Sequence, residues 1–434
     1  MRSDPVDSEI PLAPGRLPLL GHIPILLRAP LPFVCSVSGL GPVVRVQLAG
    51  TTNYLVTDPA LVRQVLVADV ARFSKGVHYD KLRALLGNSL STTSGVHHRD
   101  RRRLMQPAFH QRQISHYADL IRHATTRLVG EWREGQVVAV DDAMRQLSLT
   151  IAAEALCSTA LRPQAMDVIQ RDLPVVMRGV AWRVLLPSST IERLPLPANR
   201  RFQVSNKRLR QIVAELVARY RSEGIDHGDL LSLLLTARHP DTGVGMEDNQ
   251  IRDEIVNLLF AATETTGNAM AWLWHAVAGH PEVQQGLRGS ARSSTTDYAR
   301  RVARETLRLY PPPWLVSRQT REPVQLGPYR LPADAPILFS PYAIQRHPDN
   351  FPSADRFDPD RWLPDRLGES NRHAYLAFGA GPQNCIGEGF AMLEIATVAT
   401  TIAAYCRLVP TSVTVETASA TLVPSQLRMT VRMM

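Results

Sequence analysis

The sequence predicts a mainly α-helical protein with small β-sheets, folded as a single domain over residues 1–434. Apolar residues recur at a helical period through most of the chain between residues 97 and 309. Strand-like runs are short and few. No internal repeat, low-complexity tail or interdomain linker is visible, and 434 residues suffice for one large unit with a sizeable core.

The first 40 residues are predicted to be an extended, proline-rich leader that packs on the fold. The run 17–34 is apolar, but Arg28 and four prolines interrupt it: Pro18, Pro24, Pro30 and Pro32. A membrane-spanning helix needs about 20 apolar residues whose backbone hydrogen bonds are satisfied internally. No membrane anchor is therefore expected.

The elements that follow are short. Residues 43–48 and 54–57 have the pattern of two strands, and a helical stretch begins at Pro59. Residues 75–97 contain three glycines and a Ser/Thr cluster, which favours a mobile loop. From there to about residue 235 the pattern is mainly helical.

The longest predicted helix runs from about Asn249 to His280, and Pro281 stands just past its end. A second helix spans about 297–309 and stops before a run of three prolines. The stretch 341–384 is irregular, and irregular stretches of that length are usually functional. It leads into a loop that contains Cys385.

Charge and cysteine usage restrict the function. A net charge of +9 is compatible with nucleic acid, an anionic membrane surface or an acidic protein partner. Seven arginines lie between residues 97 and 127, against Asp100 and Asp119; a solvated helix face would also explain them. No aromatic residues alternate with them in a nucleic-acid module. Four scattered cysteines form neither a disulfide framework nor a zinc motif, which indicates a reducing, cytoplasmic setting.

The string Phe378-Gly-Ala-Gly-Pro-Gln-Asn-Cys-Ile-Gly387 is the most informative part of the chain. A thiol in a tight loop before a helix is exposed to backbone N–H groups and to the positive end of the helix dipole. Both favour a thiolate, which is a ligand for heme iron. Taken alone, Cys385 fits an inert buried cysteine better, since most lone intracellular cysteines are of that kind.

Three further patterns are weak individually. The run Ala261-Ala-Thr-Glu-Thr-Thr266 places an acid and threonines inside the long helix, where a polar patch packed on another helix is the simpler interpretation. Glu305 and Arg308 have the i,i+3 spacing of a surface ion pair. His98 and Arg102 share a helix face and could bind carboxylates, or belong to a basic surface.

Together these strings resemble the cytochrome P-450 heme-thiolate enzymes, in the family's order and over nearly the whole chain. The family's cysteine loop, Phe-Gly-x-Gly-x-Arg-x-Cys-x-Gly, is matched at five positions: Phe378, Gly379, Gly381, Cys385 and Gly387. The 261–266 run is similar to the family's Ala-Gly-x-Asp/Glu-Thr-Thr/Ser. Pro359-Asp-Arg-Trp362 resembles its Pro-Glu-Arg-Phe.

The resemblance implies a cytochrome P-450 fold with heme b (iron protoporphyrin IX) between the long central helix and the cysteine loop. Cys385 would be the axial iron ligand, and Phe378, Gly379 and Gly387 would help to bind the heme. Glu264 and Thr265 would be the catalytic proton-delivery pair.

Two further groups of residues follow from the resemblance. His98, Arg102 and Arg318 would bind the heme propionates. Arg361 would join Glu305 and Arg308 in a buried structural network.

Three departures from the family pattern stand out. Gln383 replaces the usual arginine of the cysteine loop, so propionate binding is expected to depend on the other three donors. Ala262 replaces a glycine and adds a methyl group. The segment between His280 and Glu305 is shorter than usual, which puts its helices in doubt.

The expected function is that of a monooxygenase that inserts one atom of O₂ into a C–H bond of a small apolar substrate. A separate ferredoxin and ferredoxin reductase would supply electrons to a monomer, with the ferredoxin on the basic face near residues 99–127. Residues 194–202, 340–345 and 357–363 are similar to those of bacterial sesquiterpene-oxidising members, of the pentalenene or albaflavenone type. They predict oxidation of a cyclic terpene in secondary metabolism, as in antibiotic biosynthesis.

Three alternatives stay open at this point. One is a peroxide-driven, fatty-acid-type peroxygenase, against which Glu264 and Thr265 argue. Another is a non-catalytic heme-binding sensor or paralogue, which Gln383 suggests. The third is a basic nucleic-acid binder.

Overall fold

The structure is a computed structural model that describes residues 10–157, 163–185, 194, 196–293 and 296–434. Its contacts divide the chain into two compact units. One comprises the described residues up to Val77 with Arg301–Cys385 and Glu416–Val423, and the other comprises the remainder. The prediction of one heme domain over 1–434 stays a prediction.

The first unit is built on a five-stranded sheet in the order β1-β2-β8-β5-β3. Its strands are β1 (Val43–Leu48), β2 (Thr51–Val56), β3 (Phe73–Ser74), β5 (Val316–Thr320) and β8 (Pro336–Phe339). The strands β6 (Val324–Leu326) and β7 (Tyr329–Leu331) pair separately, and β10 (Val415–Ala418) and β11 (Leu422–Ser425) follow near the C-terminus.

The two strands predicted at 43–57 form an antiparallel hairpin with a tighter turn than expected. Ala49 and Gly50 both have positive φ, at 47° and 82°, so two residues suffice to reverse the chain. The second strand therefore begins at Thr51 rather than at residue 54.

The described part of the proline-rich leader contains two helices and is therefore not extended throughout. The helices α1 (Ile23–Arg28) and α2 (Pro30–Val37) carry their prolines in the first turn, where a missing N–H costs no hydrogen bond. His22 is fully buried and its Nε2 lies 2.8 Å from the carbonyl oxygen of Ala13. Three further short helices follow in this unit: α3 (Pro59–Arg63), α14 (Pro341–Gln345) and α15 (Glu369–Ala374).

The second unit is mainly helical. Its helices before the long one are α4 (Val77–Leu86), α5 (Gly95–Met105), α6 (Gln111–Gly130), α7 (Val140–Leu156), α8 (Pro163–Leu185), α9 (Pro197–Glu223) and α10 (Leu230–Thr236). The helices after it are α12 (Pro281–Ser293) and α16 (Glu388–Tyr405), and α13 (Asp297–Leu309) continues into the first unit. Its sheet has the order β4-β12-β9, from β4 (Val137–Ala139), β9 (Cys406–Pro410) and β12 (Arg428–Met433).

The long helix α11 spans Asp248–Ala278, within two residues of its predicted ends. A capping box opens it, in which Glu247 and Gln250 satisfy each other's backbone N–H groups. Most of its second half is buried, as its apolar period predicts. The 13-residue helix α13 also has its predicted bounds.

Two further expectations differ from the structure. Residues 75–97 are not one loop, because α4 occupies Val77–Leu86 and α5 begins at Gly95. Lys81-Leu-Arg-Ala-Leu-Leu86 are good helix formers, and glycines flank that helix rather than interrupt it. Helices are also present in the segment after His280, where they were in doubt: α12 spans Pro281–Ser293 and α13 begins at Asp297.

None of the described helices is both long enough and apolar enough to cross a bilayer.

Candidate active site

The loop that carries Cys385 is closed by its own backbone. The amide N–H of Cys385 donates to the carbonyl oxygen of Phe378 at 2.8 Å, and that of Gly379 donates to Leu376 at 2.9 Å. A single 3₁₀ turn, Gly381–Gln383, lies between them. These bonds fix the position of the thiol three residues before α16 begins.

Gly381 is required by this loop. Its φ is +67°, and a Cβ atom there would lie 2.3 Å from the carbonyl oxygen of Leu66. Gly379 also has a left-handed φ of +71°, but its Cβ would meet only the Cα of Asn384 at 3.8 Å. Gly379 and Gly381 are thus needed for backbone conformation, and Gly381 also for close approach.

Cys385 differs from the other three cysteines in its exposure. Cys35 is half-buried, Cys157 and Cys406 are buried, and Cys385 is exposed. Burial raises the pKa of the Cys35 thiol, and it raises the pKa values of the Cys157 and Cys406 thiols to about 12. Those three are held as thiols, so Cys385 is the cysteine best suited to bind a metal as a thiolate.

Arg318 is the second residue whose surroundings fit a heme site. It lies on β5, paired with Ile337 of β8, and only 8% of its surface is exposed. Its Nη1 donates to the carbonyl oxygen of Ser317 at 2.8 Å, and among the described residues no carboxylate forms an ion pair with it. A buried guanidinium without a counter-ion fits an anionic ligand such as a propionate. With the exposed thiol, this donor set fits heme.

Gln383, which replaces the family's arginine, has its Oε1 buried with no hydrogen-bond partner among the described residues. The replacement therefore leaves a polar atom unsatisfied instead of supplying a cation.

Glu264 and Thr265 lie side by side on α11, and both are half-buried. The Thr265 hydroxyl donates to the carbonyl oxygen of Ala261, as expected for threonine inside a helix. Oε2 of Glu264 accepts a hydrogen bond from Nδ2 of Asn268 at 3.1 Å. Asn268, one turn after Glu264 on the same helix, therefore orients this carboxylate. The sequence did not indicate a role for Asn268.

His98 and Arg102 lie on α5, one turn apart. His98 is buried, with 5% exposure, and Arg102 is half-buried. Arg101 between them is nearly buried as well, and its Nη1 lies 3.1 Å from Oε1 of Glu254 on α11. Burial raises the pKa of Glu254 to about 7, against the lowering effect of Arg101. The basic segment is thus partly inside the unit rather than wholly on its surface.

Glu305, Arg308 and Arg361 are brought together in the first unit. Arg308 binds Glu305 in a bidentate manner at 2.9 and 2.8 Å, and Nε of Arg361 lies 3.4 Å from Oε1 of Glu305. Trp362 also belongs to this network, which the sequence did not predict: its Nε1 donates to Oε2 of Glu305 at 3.0 Å. Glu305 and Arg308 are fully buried.

The second unit contains an apolar cavity of ≈50 Å³ beside α11. Phe109, Ala152, Leu258, Ala262 and Phe390 are among the residues that line it. A pocket for an organic ligand is usually at least about 300 Å³, so this cavity is too small to be a substrate chamber.

The chain matches the cytochrome P-450 family over residues 11–429. It is 42% identical to a cyclooctat-9-en-7-ol 5-monooxygenase of Streptomyces melanosporofaciens, over 92% of this chain and 89% of that protein. It is 39% identical to cyclooctatin synthase of the same organism, over 92% and 90%. Pentalenene oxygenase of Streptomyces avermitilis is 35% identical, over 88% and 87%.

The match spans nearly the whole chain, and two of the three relatives are oxygenases by name. The family binds the iron of heme b through a cysteine thiolate. The predicted mainly helical fold with small sheets and the predicted heme cofactor are confirmed. The protein therefore belongs to the cytochrome P-450 family of heme-thiolate monooxygenases.

Proposed function

We propose that this monooxygenase oxidises a cyclic terpene, with Cys385 as its iron ligand. The exposed thiol in a backbone-closed loop is the observation that carries the assignment of Cys385. The names of the similar proteins support the substrate class.

The bound heme would supply the O₂ chemistry, in which one oxygen atom enters a C–H bond and the other becomes water. Cys385 would bind the iron as a thiolate, since it is exposed, whereas burial raises the thiol pKa of each of the other three cysteines. Arg318, with His98 and Arg102, would bind the propionates by charge-assisted hydrogen bonds.

Glu264 and Thr265 would deliver protons. The Thr265 proton is directed to the carbonyl oxygen of Ala261, so Oγ1 is left as an acceptor that can hold a water molecule. Oε1 of Glu264 would face the water, because Asn268 donates its hydrogen bond to Oε2. A positioned acid of this kind contributes typically 10²–10⁴-fold in rate.

Thr263 provides a matched control for Thr265. Its hydroxyl makes the same bond to a carbonyl oxygen one turn earlier, that of Leu259 at 2.6 Å, but it is buried. Thr265→Ala is expected to lower the product formed per O₂ consumed by at least about tenfold, while Thr263→Ala leaves the yield near the parent value. Equal yields in the two variants would remove Thr265 from proton delivery. Unchanged peroxide-supported turnover by Thr265→Ala would favour a peroxygenase instead.

The substrate class rests on the relatives. One acts on cyclooctat-9-en-7-ol, an alcohol by its name, and another on pentalenene. We therefore include both cyclic terpene hydrocarbons and their alcohols as candidates.

A reconstituted assay tests this proposal. The purified protein, a ferredoxin, its reductase and isotopically labelled O₂ are incubated with cyclic terpenes or, as a control, with linear fatty acids. We expect a spin-state shift with a cyclic terpene and one labelled oxygen atom in its product. Turnover of fatty acids alone, or product without label, would contradict the proposal.

The electron donor is proposed to be an acidic ferredoxin that binds the basic segment 99–127. The side chains of Arg99, Arg122 and Arg127 are more than half exposed, and that of Arg103 is 47% exposed. The side chain of Arg112 lies outside the described residues. Arg99→Glu with Arg122→Glu is expected to slow reduction and weaken its salt dependence, whereas Arg407→Glu on β9 serves as a control. Reduction rates insensitive to both salt and this charge reversal would contradict this docking site.

A further inference from the structure

Glu394 is a buried carboxyl group with no charged partner. It lies in the middle of the apolar helix α16 and is completely inaccessible to solvent. Its Oε1 is 2.7 Å from the hydroxyl oxygen of Ser148 on α7. Its Oε2 is buried and has no hydrogen-bond partner among the described residues.

Ser148 links this carboxyl group to the long helix. Its Oγ lies 3.2 Å from the carbonyl oxygen of Ala262, two residues before Glu264. Ser148 is itself fully buried. A serine hydroxyl has one proton, so it cannot donate to Glu394 and to Ala262 at the same time.

The protonation state of Glu394 decides which bond forms. A Glu394 carboxylate would accept the hydrogen bond from Ser148, so Ser148 could not also donate to the carbonyl oxygen of Ala262. The charged Oε2 would be buried without a partner as well. A neutral carboxyl can donate from Oε1 to Ser148 Oγ, and Ser148 can then donate to Ala262. Only the neutral form satisfies both distances. Burial also raises the pKa of Glu394 to about 8, and the Ser148 hydrogen bond opposes this only in part.

The charged groups on neighbouring helices do not compensate Glu394. They engage other partners: Arg122 with Asp119 on α6, Arg127 of α6 with Glu154 of α7, Arg145 with Asp142 on α7, Glu264 with Asn268 on α11, and Arg288 of α12 with the carbonyl oxygen of Ala403. Burial lowers the pKa of His275 on α11, which favours its neutral form. Arg407 on β9 is exposed.

The packing of α7 on α11 shows that this contact is tight. A Cβ atom at Gly267 would lie 2.8 Å from the Cα of Arg145, one turn before Ser148. The two backbones therefore approach closely, and a hydrogen bond between Ser148 and Ala262 acts across a short, rigid contact.

We propose that Glu394 is a positioning residue, whose neutral carboxyl directs the Ser148 hydroxyl to the Ala262 carbonyl and so holds the turn of α11 that leads to Glu264 and Thr265. Its effect on turnover rests on the proposed function of that pair. The hydrogen-bonded chain from Glu394 through Ser148 to Ala262 does not rest on that function, so it is tested separately.

The first test is infrared titration of the purified protein without substrate or electron donor, from about pH 6 to about pH 10. We expect the C=O band of a buried protonated carboxyl, lost as the pH rises through about 8. Glu394→Gln should remove this band. Glu254→Gln is the matched control, because Glu254 is a second buried glutamate with a pKa raised to about 7 and should leave the Glu394 band intact. A spectrum unchanged by Glu394→Gln would show that Glu394 is ionised and overturn the proposal.

The second test measures product formed per O₂ consumed against pH. In the parent this yield should fall as the pH passes about 8, because Glu394 then ionises and the Ser148 hydroxyl donates to its carboxylate instead of to the Ala262 carbonyl oxygen. Glu394→Gln retains an N–H donor and should give a flat profile, whereas Ser148→Ala should have a low yield at every pH. The expected loss is about fivefold, the effect of one hydrogen bond. A fall with pH that persists in Glu394→Gln would refute the positioning role, even if the infrared band behaves as expected.

Discussion

Removing the charge of Glu305 tests the best-defined cluster of the first unit. Glu305→Gln keeps the size of the side chain but leaves two guanidinium groups buried, those of Arg308 and Arg361, without a carboxylate. Arg308 loses a bidentate partner at 2.8 and 2.9 Å. A Gln amide can also accept with only one of its two polar atoms, so not every donor to Glu305 stays satisfied.

The expected magnitude follows from the burial. Breaking a buried ion pair by removing one partner costs about 3–5 kcal/mol of unfolding free energy. At about 2.1 cal/mol/K per residue, a chain of 434 residues has an unfolding entropy of ~0.9 kcal/mol/K. A loss of about 4 kcal/mol therefore lowers Tm by about 4 °C.

The assay is thermal unfolding at a fixed scan rate and neutral pH. Trp362→Phe is the matched control, because it removes one hydrogen bond to Glu305 without changing the charge, and it should lower Tm by only about 1 °C. A Tm of Glu305→Gln within about 1 °C of the parent would show that the network contributes little and would refute this reasoning.

Three other predictions concern close contacts and a buried acid. Gly381→Ala should lower the unfolding free energy by at least about 2 kcal/mol and reduce heme retention, since its φ is +67° and a Cβ would strike the Leu66 carbonyl. Gly267→Ala should lower the unfolding free energy by about 1–3 kcal/mol, because the added methyl group forces α7 away from α11. Gly289→Ala has open space around it and should raise the unfolding free energy by about 0.5–1 kcal/mol. Equal effects of the two variants in chemical unfolding would contradict this packing. Glu254 has a folded-state pKa raised from 4.5 to about 7, so the free energy of unfolding should fall as the pH rises through that window, and Glu254→Gln should flatten the slope of Tm against pH.

The elements that the sequence predicted well are those with local signals. The long helix has an apolar period, a capping box at Glu247 and Pro281 after its end, and its bounds came within two residues. The helix 297–309 ends before prolines and was predicted without error. The resemblance named Glu305, Arg308 and Arg361 together, and the structure places them in one buried cluster.

The remaining features depend on contacts between distant residues. Ser148 meets Ala262 across 114 positions and Glu394 across 246, so no local pattern could indicate that hydrogen-bonded chain. A lone acid inside the apolar run of α16 was the one available signal. Similarly, the sequence did not indicate the helix α4, because the glycines that flank it are also typical of a loop.

The axial ligand is tested most directly by the absorption spectrum of the reduced protein under carbon monoxide. The parent and Cys35→Ser, a control at a half-buried thiol, should both show the red-shifted band that thiolate ligation produces, and Cys385→Ser should lack it. A Cys385→Ser protein that keeps the band, or a parent that stays colourless when hemin is supplied, would contradict the assignment of Cys385 as the iron ligand.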